Sequence, residues 1–443
     1  MSSTKRQSRT ANVKAQIEEI EDSRGRPTVR VTLTLGEISG TGDVPAGAST
    51  GQDEAQTKPV HEAIENIRKV LIPLVKESDT DLRRHDALIE LERAIIDRAG
   101  ENFADLGANA VLPVSRALWQ LAAAIQDLTL CDYIRAKEPT LAGAGRVHLY
   151  MNIFNGGLHA LDKEAGEQLG RDRIDIQEIM VVPVSASNYR EAIKMGERID
   201  AALKDVLHQR YSPEAVTRAD EAGFSVKGLG DSETAISHVY EAIERAGFLP
   251  GDDVKLALDV AASTFYDVER GDYEIQGQRL STDQMIAYIC ALVDRYPGRV
   301  LSVEDGLDEN DWKGWERLSH ALKERGVMTI GDDLFVTQVR RLRRGINNNS
   351  AHAILIKVNQ NGSVTGTLDV MRYARESGLR CVISHRSGET LDDSIADLAL
   401  ATGAYGLKTG DPQPEEDFPD PTTWVRRVKY LRMIQLEERP RRH

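Results

Sequence analysis

Cysteine is nearly absent from this chain of 443 residues, with Cys131, Cys290 and Cys381 its full complement. Three scattered thiols, odd in number, make neither a disulfide framework nor a cysteine metal motif, and so point to a reducing cytoplasm. Long apolar runs are missing too. Stretches such as Leu118 to Ile125 are too short to span a bilayer. Residues Met1 to Thr10 are polar and basic without an apolar core, so they read as neither signal peptide nor anchor and are expected to fray. Positive charge is also in short supply, with 56 basic against 70 acidic residues and a formal net charge of −14. A phosphate backbone would be repelled, which argues against nucleic-acid binding. A small phosphorylated substrate stays open, because one site can be positive in an acidic whole. With 41% apolar and 28% charged residues, the chain reads as an ordinary soluble protein. It is too long for one small core, and two domains are the natural expectation.

The first third is mixed. Val13 to Ile20 and Thr28 to Leu35 alternate like strands around the turn Asp22-Ser23-Arg24-Gly25, and residues from about Glu62 to Tyr133 read as helices. Strands followed by helices predict a separate α+β domain over residues 1–140, with Lys137 to Arg146 as linker. Over 141–443 short apolar runs end, again and again, in a chemically capable residue. Val254 to Leu258 meets Asp259, Val300 to Val303 meets Glu304, and Val327 to Ile330 leads through Gly331 to Asp332. Ala353 to Ile356 meets Lys357, Cys381 to Ser384 meets His385, and Tyr405 to Leu407 meets Lys408. Helical stretches lie between most of them, at a spacing of roughly 25 to 45 residues, as repeated strand-helix units require. Any one of these carboxylates could be a helix N-cap. Six in register predict a (β/α)8-type barrel with its site at the C-terminal mouth. An open doubly wound sheet is the competitor, but it does not normally supply so many strand ends to one site.

Asp259, Glu304 and Asp332 would repel one another unless a cation sits among them. Oxygen ligands without Cys or His favour magnesium or manganese over zinc. Lys357, close to such a cation, would be discouraged from protonation and could act as a base, the plain alternative being a salt-bridge partner of the carboxylates. Ser384-His385-Arg386-Ser387-Gly388-Glu389-Thr390 offers a cation, hydroxyls and backbone N–H groups at a helix start, which suits a phosphate; the bland reading is a cap with a buried histidine. Lys408 could pair with a substrate carboxylate or be a simple rim lysine.

Together with Ser23-Arg24-Gly25, Gly47-Ala48-Ser49-Thr50-Gly51, Asn155-Gly156-Gly157 with His159, Gln177-Glu178, Asp220-Glu221 and Lys408-Thr409-Gly410, these segments resemble the enolase family, in order and over nearly the whole chain. The resemblance implies a magnesium-dependent hydro-lyase that dehydrates 2-phospho-D-glycerate to phosphoenolpyruvate, as in glycolysis. It implies Lys357 as the base at C2, and Glu221 as the acid for the departing hydroxyl with Glu178 in its proton network. His159 would close over the substrate, with Gln177 beside it. His385, Arg386 and Ser387 would face the phosphate and leaving group, and Lys408 the carboxylate. Asp259, Glu304 and Asp332 would hold a first magnesium. Ser49, on a lid, would reach a second when substrate binds, manganese being an alternative metal. A homodimer or dimer-based oligomer is also implied.

Departures cluster at the loops. Ala46 replaces a serine, Gln56-Thr57-Lys58-Pro59 stands in a shortened connection, and an insert runs from Asp162 to Arg173. The acid turn reads Ala219-Asp220-Glu221-Ala222-Gly223, and Asp411-Pro412-Gln413-Pro414-Glu415-Glu416-Asp417 follows Gly410. Drift in surface loops is one reading. The other is altered specificity, as in enolase paralogues of phosphonate-antibiotic pathways such as carboxyphosphonoenolpyruvate synthase, which dehydrate a carboxyphosphono-glycerate. A catalytically silent enolase-like binding protein is a third reading, against which the complete set of reactive residues speaks. At the dimer face, Arg30 stands where a glutamate pairs with the counterpart of Arg426, so two cations are expected to face each other. Val339 to Arg344, with four arginines, reads as the solvated face of a helix.

Overall fold

The computed structural model describes residues 8–47, 51–143, 145–162, 167–168, 174–413 and 421–439. An antiparallel three-stranded sheet comes first: β1 (Lys14–Glu21), β2 (Pro27–Leu35) and β3 (Ile38–Asp43). Val29, Val31, Leu33 and Leu35 alternate along β2 and are buried, the period a half-covered strand requires. The helix that covers them, α1 (Ala108–Ile125), is buried along most of its length. It touches β3 backbone to backbone. A Cβ on Gly40 would lie 2.3 Å from the Ala117 carbonyl oxygen, and one on Gly42 2.4 Å from that of Pro113. β3 was not foreseen from the sequence, because Ile38-Ser39-Gly40-Thr41-Gly42-Asp43 trades apolar side chains for this close approach.

Eight strands then close a barrel: β4 (His148–Asn155), β5 (Glu178–Pro183), β6 (Val254–Asp259), β7 (Val300–Glu304), β8 (Met328–Gly331), β9 (Ala353–Ile356), β10 (Arg380–Ser384) and β11 (Gly406–Lys408). Each pairs with the next, and β11 pairs with β4 to complete the ring. Tyr150, Met180, Met328, Leu355 and Val382 pack together as a second core, the filling such a barrel needs beneath its mouth. From β6 onward the strands run parallel, with helices between them. The opening departs from strict strand-helix alternation, since β5 runs antiparallel to both β4 and β6. A hairpin of two short strands, Val216–Arg218 and Phe224–Val226, pairs alongside β4.

The arginine-rich helix α2 (Val339–Asn347) corrects one expectation. Arg341 is buried, and its guanidinium donates to the carbonyl oxygens of Leu334 at 2.7 Å and Glu309 at 2.6 Å. Arg341 and Arg344 also lie over the Trp312 ring, so part of the charge run serves packing rather than solvent. No described helix is long and apolar enough to cross a membrane.

Candidate active site

The barrel mouth gathers the residues expected from the strand ends. Asp259, Glu304 and Asp332 follow on adjacent strands β6, β7 and β8, with Asp259 in register beside Glu304, and all three are buried. Asp259 Oδ2 and Glu304 Oε1 accept from Lys408 Nζ at 2.9 and 3.0 Å. Asp332 pairs through Oδ2 with Lys357 and accepts through Oδ1 from Gln360 Nε2 at 3.1 Å. Glu304 and Asp332 are each followed by another acid. Asp305 accepts from the amides of Asp332 and Asp333 at 2.9 and 2.7 Å, holding the end of β8 in place. Oxygens of Asp305, Asp332 and Asp333 lie within 4.8 Å of one another.

This arc carries more negative charge than its partners neutralise. Burial and the charge of Asp259 push the Glu304 carboxyl well above its usual range. Burial and Asp332 push Asp333 up to about 7. Glu304 Oε2 is buried without a hydrogen-bond partner among the described residues. Oxygen donors, surplus negative charge and an orphaned carboxylate oxygen fit a hard divalent cation.

Cations line the same cleft. Burial works against the charge on Lys408, but Asp259, Glu178 and Glu304 outweigh it and hold the ammonium well above its usual value. Lys357 behaves likewise toward Asp332. The Ser384–Thr390 segment is not a helix start, as had been expected. Its Arg386 and Thr390 amides donate to the Glu389 carboxylate at 3.1 and 2.9 Å, so these N–H groups are already used. What the segment presents to the cleft includes cationic and hydroxyl side chains. Arg386 is one, and its NH1 meets Glu54 Oε2 at 3.1 Å and Asn359 Oδ1 at 3.0 Å. The amino-terminal domain buttresses the segment: Ala46 and Gly388 exchange backbone hydrogen bonds at 2.8 Å, and the Glu389 amide donates to Ser23 Oγ at 3.0 Å. A Cβ on Gly388 would come 2.2 Å from Asp22 Oδ2, which explains the glycine.

A different construction brings the remaining acids. Because β5 runs antiparallel, its first residue, Glu178, reaches the mouth, in register with both Asn155 and Asp259. Glu221 sits on the turn of the short hairpin. His159 Nδ1 lies 3.3 Å from Glu178 Oε1, and His385 Nε2 lies 3.0 Å from Glu221 Oε2. His159, Glu178 and Glu221 form a second group whose polar atoms lie within 4.8 Å. Burial and the charge of Glu221 push Glu178 up. Burial opposes the Glu221 charge, but His385 outweighs it and Glu221 is held well down. Burial brings His385 down to about 4. Gln177, His159, Glu178, Glu221, Asp259, Asp332, Lys357, His385, Arg386, Ser387 and Lys408 all line one cleft. Ser49 and most of the 162–173 insert lie outside the described residues.

Sequence reasoning gave no role to Glu54, Asp305 or Asp333, although the doublets Glu304-Asp305 and Asp332-Asp333 were a visible signal. Arg30 makes a two-pronged pair with Asp43 of its own sheet, both bonds 2.7 Å. Arg426 is fully buried in its own chain, donating to the carbonyl oxygens of Arg386 and Ser387 at 3.0 and 2.7 Å.

Two family models match the chain. One, described as the C-terminal TIM barrel domain of enolase, matches residues 148–438. The other, described as the N-terminal domain of enolase, matches residues 12–134.

Proposed function

The chain belongs to the enolase family, and on that footing we propose that it dehydrates 2-phospho-D-glycerate to phosphoenolpyruvate by a reversible β-elimination of water. The coarse chemistry, a magnesium-dependent lyase reaction of the enolase type, comes with the family. The finer reading is supported by one observation above others. Lys357 follows β9 and Glu178 opens β5, four strands apart in a closed ring of eight. The base and the proton network of the acid therefore stand on opposite sides of the mouth.

Lys357 takes the C2 proton from one wall. Glu221, within the Glu178 proton network, supplies a proton to the hydroxyl leaving C3 on the other. Burial and the charge of Glu221 push Glu178 toward its proton-holding form, which suits a reserve for that step. Lys408 lies where a substrate carboxylate would replace Asp259, Glu178 and Glu304 as its partner. Arg386 and Ser387 offer donors to the phosphate. Asp259, Glu304 and Asp332 would hold the cation, whose part is to stabilise the second negative charge that builds on the carboxylate. Asp332, which pairs with Lys357 through Oδ2, would lend that charge to a bound cation instead and so free the lysine to act as a base.

A second reading has its own observation. Asp411 and Gln413, in the segment that departs from the family pattern, are buried rather than drifting on the surface. That remodelled support lies behind the Glu221 turn rather than in the cleft lining, and a shifted turn is how it would favour a glycerate with a carboxyphosphono group. The test is kcat/KM for both acids at saturating magnesium. A value of about 10⁴ M⁻¹s⁻¹ or more for 2-phosphoglycerate, with no advantage for the analogue, supports the first reading. A large advantage for the analogue replaces it. Turnover of neither leaves a silent binding protein. We also propose a homodimer, which a monomer in light scattering at micromolar concentration would overturn.

A further inference from the structure

Glu221 and Ala222 both have positive φ, 56° and 67°. Neither is glycine, so each residue is held at a cost of about 1–2 kcal/mol. Such a turn persists where the surroundings over-determine it, and the residues that do so here lie outside the cleft. The Arg218 guanidinium grips Asp200 with two prongs, NH1 to Oδ1 at 2.7 Å and NH2 to Oδ2 at 2.6 Å. Its NH1 also meets Asp411 Oδ2 at 2.8 Å and donates to the Ala222 carbonyl oxygen at 2.9 Å. Its plane lies over Phe224 with the central carbon 3.6 Å from the ring centroid. The Gln413 amide, oxygen toward the guanidinium, accepts from Nε at 2.8 Å. From the other side, the Asp411 amide donates to the Glu221 carbonyl oxygen at 3.0 Å.

Both carbonyls of the strained pair are thus held by one buried set drawn from three parts of the chain: the helix Tyr189–His208, the acid hairpin, and the segment after β11. Arg218, Asp200 and Asp411 do not line the cleft. Two carboxylates share one guanidinium, and burial with the charge of Asp200 pushes Asp411 well up. Two buried carboxylates held on a part-buried guanidinium beside the acid, outside the cleft, are costly to maintain unless they fix something.

We propose that Arg218, with Asp200 and Asp411, is the positioning device for the catalytic acid: it locks the Glu221–Ala222 turn and so sets the elimination step without touching substrate or metal. This rests on the reading of Glu221 as the acid for the departing hydroxyl. A misplacement on the order of 1 Å at a reacting group costs about 10²-fold, so the device should govern one step selectively.

The test uses the full-length protein with 2-phosphoglycerate and magnesium, comparing Arg218→Lys with the triple variant Arg218→Met/Asp200→Asn/Asp411→Asn, which removes all three charges together. Dehydration is expected to fall about 10²-fold while exchange of the C2 proton with solvent, the work of Lys357, stays within about twofold of wild type. Parallel loss of both reactions, or loss of neither, would overturn the inference. Amide hydrogen exchange supplies a readout free of any substrate assignment. Protection at Ala219–Gly223 and Asp411 is expected to drop in both variants while β6 to β9 keep theirs. If wild type turns over no 2-phosphoglycerate, the substrate reading has failed and the amide measurement alone decides. Unchanged protection at the turn, or loss throughout the barrel, then refutes the positioning role.

Discussion

The two walls of the cleft are built by different means. On one, Asp259, Glu304, Asp332 and Lys357 stand at the ends of adjacent parallel strands, and the sheet register aims them. On the other, Glu178 begins a reversed strand and Glu221 rides a hairpin turn with left-handed backbone. The first wall is stable by repetition. The second is held by individual contacts, and it is there that the sequence leaves the family pattern. A regular scaffold fixes the chemistry common to the family, while the irregular wall has freedom to change.

Removing the metal should have the largest effect. Exhaustive chelation is expected to abolish turnover, and magnesium at 100 times its Kd should add about 2.7 kcal/mol of stability to wild type. Asp259→Ala and Glu304→Ala should lose that gain in thermal scans. Full activity after chelation would sink the metal assignment of the regular wall.

Next, Lys357→Ala should lower dehydration by about 10⁴-fold and abolish C2 proton exchange with it. Glu221→Gln is expected to cost about 10²–10³-fold in dehydration yet leave C2 exchange measurable, because the proton departs before the hydroxyl. Equal loss of exchange in both variants would erase the separation of the walls.

Smaller effects grade the scaffold. Asp305→Asn keeps one acceptor of two for the end of β8, and should cost about 1 kcal/mol in denaturant unfolding. A loss no greater than that of a surface substitution would show that the register aims Asp332 unaided. The least change is expected at His352, which accepts from the Thr329 amide at 3.0 Å. Burial, then Lys323 and Arg380, hold folded His352 below its usual value. As pH falls through about 6.5, the unfolded chain takes the proton first, so stability is lost below that point. Wild type should therefore lose more stability between pH 7.5 and 5.5 than His352→Gln does, and equal losses would contradict this.

The regular wall was legible because parallel strands buried on both faces read as unbroken apolar runs, so the residue after each run names itself. Asp259, Glu304 and Lys357 could be found with no knowledge of the fold. Glu178 could not, because in a reversed strand the reactive residue precedes its run, Ile179 to Val182. Glu221 lies between strands of three residues, too short for any periodicity, and entered through the family likeness alone. Arg218, Asp200 and Asp411 are far apart in sequence and carry no shared motif. The burial of Arg426 within its own chain depends on tertiary packing that no local pattern encodes.

Closure of the ring through β4 and β11 has a consequence for how the molecule is made. The first barrel strand to leave the ribosome must wait for the last, with more than half of the chain between them, before its edge is covered. Such distant pairings delay folding and prolong exposure of open edges. Lys408 arrives on that final strand, and its ammonium is the group that reaches Glu178, Asp259 and Glu304 together. Until that strand is in place, those three acids lack the lysine that answers them. The last strand to emerge delivers both the missing edge of the sheet and the missing charge, so a nascent chain stopped short of residue 406 lacks both.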